Sequence, residues 1–310
     1  MSRLPLRIGC AVMLGACLAA ESSACGSKSD LVIGQSVING SPAGGSSNTA
    51  PDGAAPDSAP APDANGAGST ATDAATDPGD AAPACAPDDI APVGSLLHRY
   101  SFSGTGTAAP DSVSGADGQI EMGGSLDGKG SLVLDGMTGY VNLPNHLISV
   151  LTDVTFVTWC TYLGGAGYER IFDFGVGVGE DDTSGAGVSY IAVAPYGGAS
   201  NLLMLARQDA TEQEIQIPSD TAIDDNREHQ VALAFASSSQ AELYLDGALL
   251  GRTPIPFPLS DINDVNDWIG RSQWNNDHTF NGSVDEFRIY GAALTPCAVA
   301  ALNAAGPNAP

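Results

Sequence analysis

The sequence predicts an all-β fold, an antiparallel sandwich or jelly roll, with one short C-terminal helix and a disordered tether ahead of it. Three observations carry that expectation. Val284-Asp285-Glu286-Phe287-Arg288-Ile289-Tyr290 alternates with a period of two, which marks a strand with one face on a core. Further short runs of β-branched and aromatic residues return with turns about every 8–12 positions and no helices between them. From Gly26 to Gly94 the chain is mostly Ala, Pro, Ser, Gly, Thr and Asp, with Lys28 its only basic residue. Such a stretch cannot bury enough apolar surface to offset its chain entropy.

In chain order, Arg3 and Arg7 precede a short apolar run, Ile8 to Ala16, too short to span a bilayer as a helix. Leu14-Gly15-Ala16-Cys17 resembles a bacterial lipobox, which makes residues 1–17 an export signal and Cys17 the lipidated residue after cleavage. Cys25, after Ser22-Ser23-Ala24, is a second candidate, and an ordinary secretory signal the alternative. Residues 18–94 form the linker, residues 95–304 the folded domain and residues 305–310 a tail. About 70 flexible residues reach roughly 45–50 Å. The protein is thus expected in a bacterial cell envelope, at the outer surface or in the periplasm, touching the membrane only through its lipid, or else secreted.

The strands follow. Leu97 to Phe102 alternates, Ser131 to Leu134 runs into Asp135-Gly136, and Tyr140 to Leu143 comes next. Val154 to Tyr162 is a long apolar strand, with Cys160 expected as a buried thiol. Arg170 to Phe174, Val188 to Ala194, Leu202 to Ala206, Glu214 to Ile217 and His229 to Ala236 are further candidates. Glu242 to Leu250 reads as a hairpin with Asp246-Gly247 in its tight turn. Thr295 to Asn303 is the helix, capped by Thr295 with Pro296 at its first position.

Charge narrows the partners. The formal net charge is −25. From Leu96 onward 26 Asp and Glu face 8 Arg and Lys, a difference of −18. Nucleic acid and anionic headgroups require a basic surface, so neither is expected as a partner. A monomer is expected.

Four segments taken in order carry a family resemblance: Leu134-Asp135-Gly136 with Gly139-Tyr140-Val141-Asn142-Leu143-Pro144; Glu169-Arg170-Ile171-Phe172-Asp173-Phe174-Gly175; Tyr244-Leu245-Asp246-Gly247; and Trp268-Ile269-Gly270-Arg271-Ser272 with Phe280 to Tyr290. They resemble the concanavalin A-like lectin/glucanase superfamily in its laminin G-like branch. The resemblance implies a two-sheet antiparallel jelly-roll sandwich with its first and last strands adjacent, and a binding module for carbohydrate or protein that often holds one Ca²⁺. That adjacency places Cys85, ahead of the first strand, near Cys297, beyond the last, and a Cys85–Cys297 disulfide is expected.

Catalysis is not expected. Glucan hydrolases of this fold need two carboxylates close together on one face. Here Glu242 and Asp246 have the wrong spacing, Glu180-Asp181-Asp182 lies in a Gly-rich loop, and alternation divides Asp285 from Glu286. No Gly-x-Ser-x-Gly, His-Glu-x-x-His or P-loop motif is present, and His98, His146, His229 and His278 are scattered. Sugar binding calls for aromatic faces beside planar hydrogen-bonding groups. Trp274 fits, with Arg271, Asn275, Asn276 and Asp277 around it, and so do Tyr168 and Tyr196 beside glycines. Trp159 and Trp268 lie on strands and belong to the core. For Ca²⁺, the Asp111–Gly118 loop resembles the family's Asp- and Gly-rich loop, with Asp111, Asp117 and Asp285 as ligands. The expected function is a surface-tethered, non-catalytic module binding glycan. Adhesion to a cell-surface protein through the same loops is the alternative.

Overall fold

A computed structural model describes Cys85, residues 95–179 and residues 181–309. The export signal, Cys17, Cys25 and nearly all of the linker lie outside the described residues. Strands β1 to β6 are Leu96–Tyr100, Ala108–Ala109, Gly118–Glu121, Ser125–Leu126, Leu132–Asp135 and Tyr140–Leu143. Strands β7 to β11 are Asp153–Tyr162, Phe172–Gly177, Gly187–Ala194, Leu203–Arg207 and Ile215–Pro218. Strands β12 to β16 are Glu228–Ala236, Gln240–Leu245, Ala248–Pro254, Asn266–Ile269 and Asn281–Tyr290, followed by helix α1, Pro296–Ala305.

They form two eight-stranded antiparallel sheets. One runs β14-β13-β12-β7-β16-β5-β4, with β1 also paired to β16; the other runs β11-β10-β9-β8-β15-β6-β3-β2. This is the expected jelly-roll sandwich. The facing layers lock through aromatic rings: Phe156 of β7 stacks 4.6 Å from Phe172 of β8, and Phe287 of β16 sits 5.6 Å from Phe172. Such ring pairs add about 0.5–1.5 kcal/mol each beyond the area they bury. Short β2, β3 and β4 were not foreseen, because two to four residues carry too little periodicity to read.

The hairpin turn has both Asp246 (φ 49°) and Gly247 (φ 79°) in the left-handed region, which the Asp-Gly pair tolerates. Helix α1 begins as expected, with the Thr295 side chain accepting from Ala298 N at 3.2 Å and Pro296 at the first position. Its Ala298 and Val299, with Leu294 just ahead of it, cover Trp159, Tyr244 and Tyr290 on the outer face of the first sheet. The residues after the helix are held as well: Arg288 Nη2 donates to Pro307 O at 2.8 Å and to Ala309 O at 2.6 Å. Cys160 is a free, fully buried thiol.

One expectation fails in β16. Val284 pairs with Cys160 and Glu286 with Trp159, so Asp285 is the extra residue of a β-bulge. Val284 therefore joins Phe287 and Ile289 in the core, and strict alternation does not separate Asp285 from Glu286.

β1 runs antiparallel to β16, with Leu96 opposite Tyr290, and Cys85 is disulfide-bonded to Cys297 with Cα atoms 5.4 Å apart. The bridge closes a loop with a sequence separation of 212. The chain-entropy model assigns such a loop about 5 kcal/mol. Replacing both cysteines by serine should therefore lower the unfolding free energy by about 2–5 kcal/mol in a denaturant titration. An unchanged midpoint would show that the clamp stabilises nothing.

Candidate functional site

The site is assembled from three segments around the second sheet: the residues ahead of β8, those ahead of β11 and the loop after β15. The loop from Arg271 to Phe280 is tied at its base, where Phe280 N donates to Gly270 O at 2.8 Å. Inside it Ser272 Oγ donates to Asp277 Oδ2 at 2.7 Å and accepts from Trp274 N at 3.1 Å. Gln273 N donates to Asp173 Oδ2 at 3.0 Å, and its side-chain amide exchanges hydrogen bonds with Asn266. The loop is also pinned sideways, because Gly185 N donates to Gln273 O and Asn275 N to Gly185 O, each at 2.8 Å. A loop with this many fixed backbone groups presents Trp274 in one place.

Arg170 is the centre of the arrangement. It lies two residues ahead of β8 rather than on a strand, and it is 2% exposed. Its guanidinium stands 3.4 Å from Asp173 and 3.3 Å from Asp277, and Nη1 donates to Tyr168 O. The same group lies 5.8 Å from the Tyr168 ring centre. Burial pushes the Asp173 carboxyl up to about 7, an effect only partly offset by Arg170 and the Gln273 amide. Burial likewise raises Asp277, again opposed by Arg170. Tyr190 donates its hydroxyl to Glu214 Oε2, which fixes that carboxylate beside the cavity.

Together Tyr168, Arg170, Glu214, Trp274 and Asp277 line a cavity of about 270 Å³. Three of the five were expected from sequence. Arg170 and Glu214 were not, although an Arg followed by Ile171 and Phe172 is a signal: a cation in an apolar run needs a buried partner. Arg271 lies elsewhere, its guanidinium 4.1 Å over Trp268 and 4.4 Å over Tyr140, paired with Asp182 at 2.9 Å. Asn275 is exposed beside Trp274 without lining the cavity, and Tyr196 lines a neighbouring one.

The expected calcium ligands do not converge. Asp111 is filled by donors: Arg99 N, Val113 N, Ser114 N, Ala116 N and the Ser114 hydroxyl, with His98 Nδ1 at 2.9 Å. Burial acts to raise its pKa, but those hydrogen bonds together hold it below the usual carboxylate range. Asp117 Oδ1 accepts from Asp111 N, and Asp285 faces Glu228 instead. N–H groups aimed at a carboxylate occupy the lone pairs a hard cation needs, so these residues as placed do not fit Ca²⁺. Among the described residues no three His, Cys, Asp or Glu side chains are grouped to hold a metal ion.

Other polar clusters are structural in geometry. Ser114 Oγ and Asp111 Oδ2 both meet His98 at the same ring nitrogen, whereas a nucleophilic relay uses both nitrogens. His229 bridges Asp246 and Asp225, and His146 Nδ1 lies 3.4 Å from Asp264. Glu286 is clamped between Arg99 Nε at 2.5 Å and Arg288 Nε at 2.6 Å. Burial, with the Asp285 carboxylate as a neighbour, raises Glu228 to about 7.

A family model described as concanavalin A-like lectin/glucanases superfamily matches residues 135–300. Domain 4 of an extracellular arabinanase from Geobacillus stearothermophilus, solved with arabinotriose, superposes with a TM-score of 0.53 at 21% identity, covering 66% of this chain and 97% of that one. Trypanosoma rangeli sialidase, solved with sialic acid, gives a TM-score of 0.51 at 17% identity, covering 69% of this chain and 33% of that one. A botulinum neurotoxin serotype D/C binding domain gives 0.50 at 14% identity, covering 68% and 52%. These likenesses show a shared fold. No curated protein matches the chain in sequence.

Two outcomes check this geometry. The raised Asp173 favours its protonated form in the folded state, so its contribution to stability is full below about pH 4 and is lost as pH rises through about 7. Asp173→Asn should therefore flatten the fall in melting temperature between pH 4 and 7, and a slope equal to wild type would contradict the assignment. Adding EDTA should leave the melting temperature unchanged; a drop of several degrees would reveal bound metal.

Proposed function

We propose, from the premise that this chain belongs to the concanavalin A-like lectin/glucanase superfamily, that it is a non-catalytic carbohydrate-binding module displayed on a bacterial cell envelope. The observation that carries the reading is the cavity itself. Two partly exposed aromatics, Trp274 and Tyr168, flank Arg170, Glu214 and Asp277. A sugar ring offers an apolar C–H face bordered by hydroxyls, and an aromatic wall beside fixed donors and acceptors meets both. The arabinotriose held by the arabinanase domain of similar fold agrees with a saccharide ligand.

Non-catalytic action is favoured by where the carboxylates are. Glycoside hydrolysis needs two carboxyl groups about 5–9.5 Å apart with the scissile bond between them. Asp285 and Glu228 lie outside the cavity, apart from the carboxylates that line it. Glu286 is neutralised by two guanidinium groups. In the cavity, Asp277 is bonded to Ser272 and faces Arg170, so it too is engaged as a positioning group.

The envelope location rests on the export signal and on Cys17 as the lipid site, with residues 18–94 as the spacer that carries the domain away from the membrane. The disulfide suits such an oxidising compartment.

Trp274→Ala tests the reading, because the half-buried side chain can be removed without opening the core. On a glycan array the variant should lose about tenfold or more of the wild-type signal, equivalent to about 1.4 kcal/mol, with its melting temperature preserved. Undiminished binding would remove this cavity from the account. A co-purifying protein with no glycan signal would favour adhesion instead.

A further inference from the structure

A second cavity, of about 190 Å³, adjoins the first and is lined by Tyr162, Tyr196, Asn201 and Asp224 among others. Tyr168 lines the first and Tyr196 the second, and the loops that carry these two residues are joined. Tyr168 N donates to Tyr196 O at 2.8 Å, and each ring lies over the other loop's glycines. A Cβ on Gly197 would come within 2.9 Å of the Tyr168 ring, so that close approach requires glycine there. Tyr196 is 41% and Tyr168 38% exposed, which leaves both rings partly open to solvent.

Polar groups in the second cavity have capacity to spare. The Tyr162 hydroxyl is buried and makes no hydrogen bond of normal geometry, although the Glu169 carboxylate lies near it. Glu169 is already used by Ala166 N at 2.8 Å and Asn281 N at 3.1 Å. The Asn201 amide nitrogen donates to Asp220 O at 2.6 Å, which leaves its carbonyl oxygen to accept.

Charge at the two cavities sets the ligand class. Among the described residues Arg170 is the only cation lining either one, and it already faces Asp173 and Asp277. An acidic sugar would need an unpaired cation and would meet Glu214, Asp277 and Asp224. Asp277 faces Arg170, so on the first cavity's wall the charge of that carboxylate is already offset in place. Neither cavity reaches the ~300 Å³ at which ligand clefts usually begin, whereas the pair exceeds it.

We propose that the two cavities are adjoining subsites of one cleft that binds an uncharged oligosaccharide of two or more residues, one sugar against Trp274 and the next against Tyr196, across the Tyr168–Tyr196 junction. The proposal rests on the carbohydrate reading above and adds the chain length, the charge class and the second subsite.

The test is a printed array of neutral and acidic oligosaccharides of one to six residues, read with the full chain as wild type, Trp274→Ala and Tyr196→Ala. The proposal expects neutral hits only, signal rising from mono- to disaccharide or beyond, and about tenfold or greater loss in each variant. Tyr196→Ala binding as wild type does, monosaccharides binding as strongly as longer chains, or acidic hits would each overturn it. If Trp274→Ala alone loses binding, the second subsite is wrong and the first stands. If wild type binds nothing on the array, the carbohydrate reading falls and the cleft falls with it. Both tyrosine and tryptophan are partly exposed, and the melting temperature of each variant verifies that the fold is kept.

Discussion

Everything in this domain depends on the pairing of β16. It runs beside β7 for its whole length, while its other edge is shared, taken by β5 from Asn281 to Val284 and by β1 from Phe287 to Tyr290. Both of its edges are thus hydrogen-bonded, as burial of a central strand requires. The bulge at Asp285 falls where one partner gives way to the other. A slip of one residue in a regular strand would turn every side chain to the wrong face. The extra residue instead lets Val284 and Phe287 both point into the core at a spacing of three. The strand's end then delivers Cys297 to Cys85, and its beginning anchors the loop that carries Trp274.

The site inherits its rigidity from that scaffold and its order from one buried cation. Arg170 sits between Asp173, which ties it to the Gln273 amide, and Asp277, which ties it to Ser272. Two carboxyl groups whose pKa values burial raises are held near a guanidinium rather than in water. An arrangement of this kind is costly to leave half-satisfied, so removing one member disturbs the rest. Its effect is to bring the Tyr168 loop and the Trp274 loop to one cavity. Binding surfaces built this way lose little entropy when occupied.

Much of this was legible in the sequence, for identifiable reasons. Asp246-Gly247, Thr295-Pro296 and the long apolar Val154 to Tyr162 obey local rules, and local rules can be read one window at a time. The disulfide followed from the family resemblance, since it depends only on which strands are neighbours. The aromatic residues Trp274 and Tyr168 were visible because exposed rings beside polar or glycine-rich loops are chemically conspicuous. The bulge was not visible: alternation at Asp285 looks regular until the partner strand is known. Arg170 and Glu214 were hidden because their roles come from residues about a hundred and about twenty-five positions away, Asp277 and Tyr190 respectively. Asp111 is ambiguous for the opposite reason, since an Asp-Gly-rich loop serves a metal or its own backbone amides equally well in sequence.

The central claim is that a saccharide is bound where Trp274 faces Tyr168. The chain has three tryptophans, Trp159, Trp268 and Trp274, and the first two are buried under helix α1 and under Arg271. Each indole N–H gives its own signal in a ¹⁵N–¹H correlation spectrum. Titrating a neutral oligosaccharide identified on the array should move the Trp274 indole signal, assigned by its loss in a Trp274→Phe variant, and leave the other two in place. Binding that leaves the Trp274 signal unmoved, or that moves Trp159 or Trp268 instead, would contradict the account.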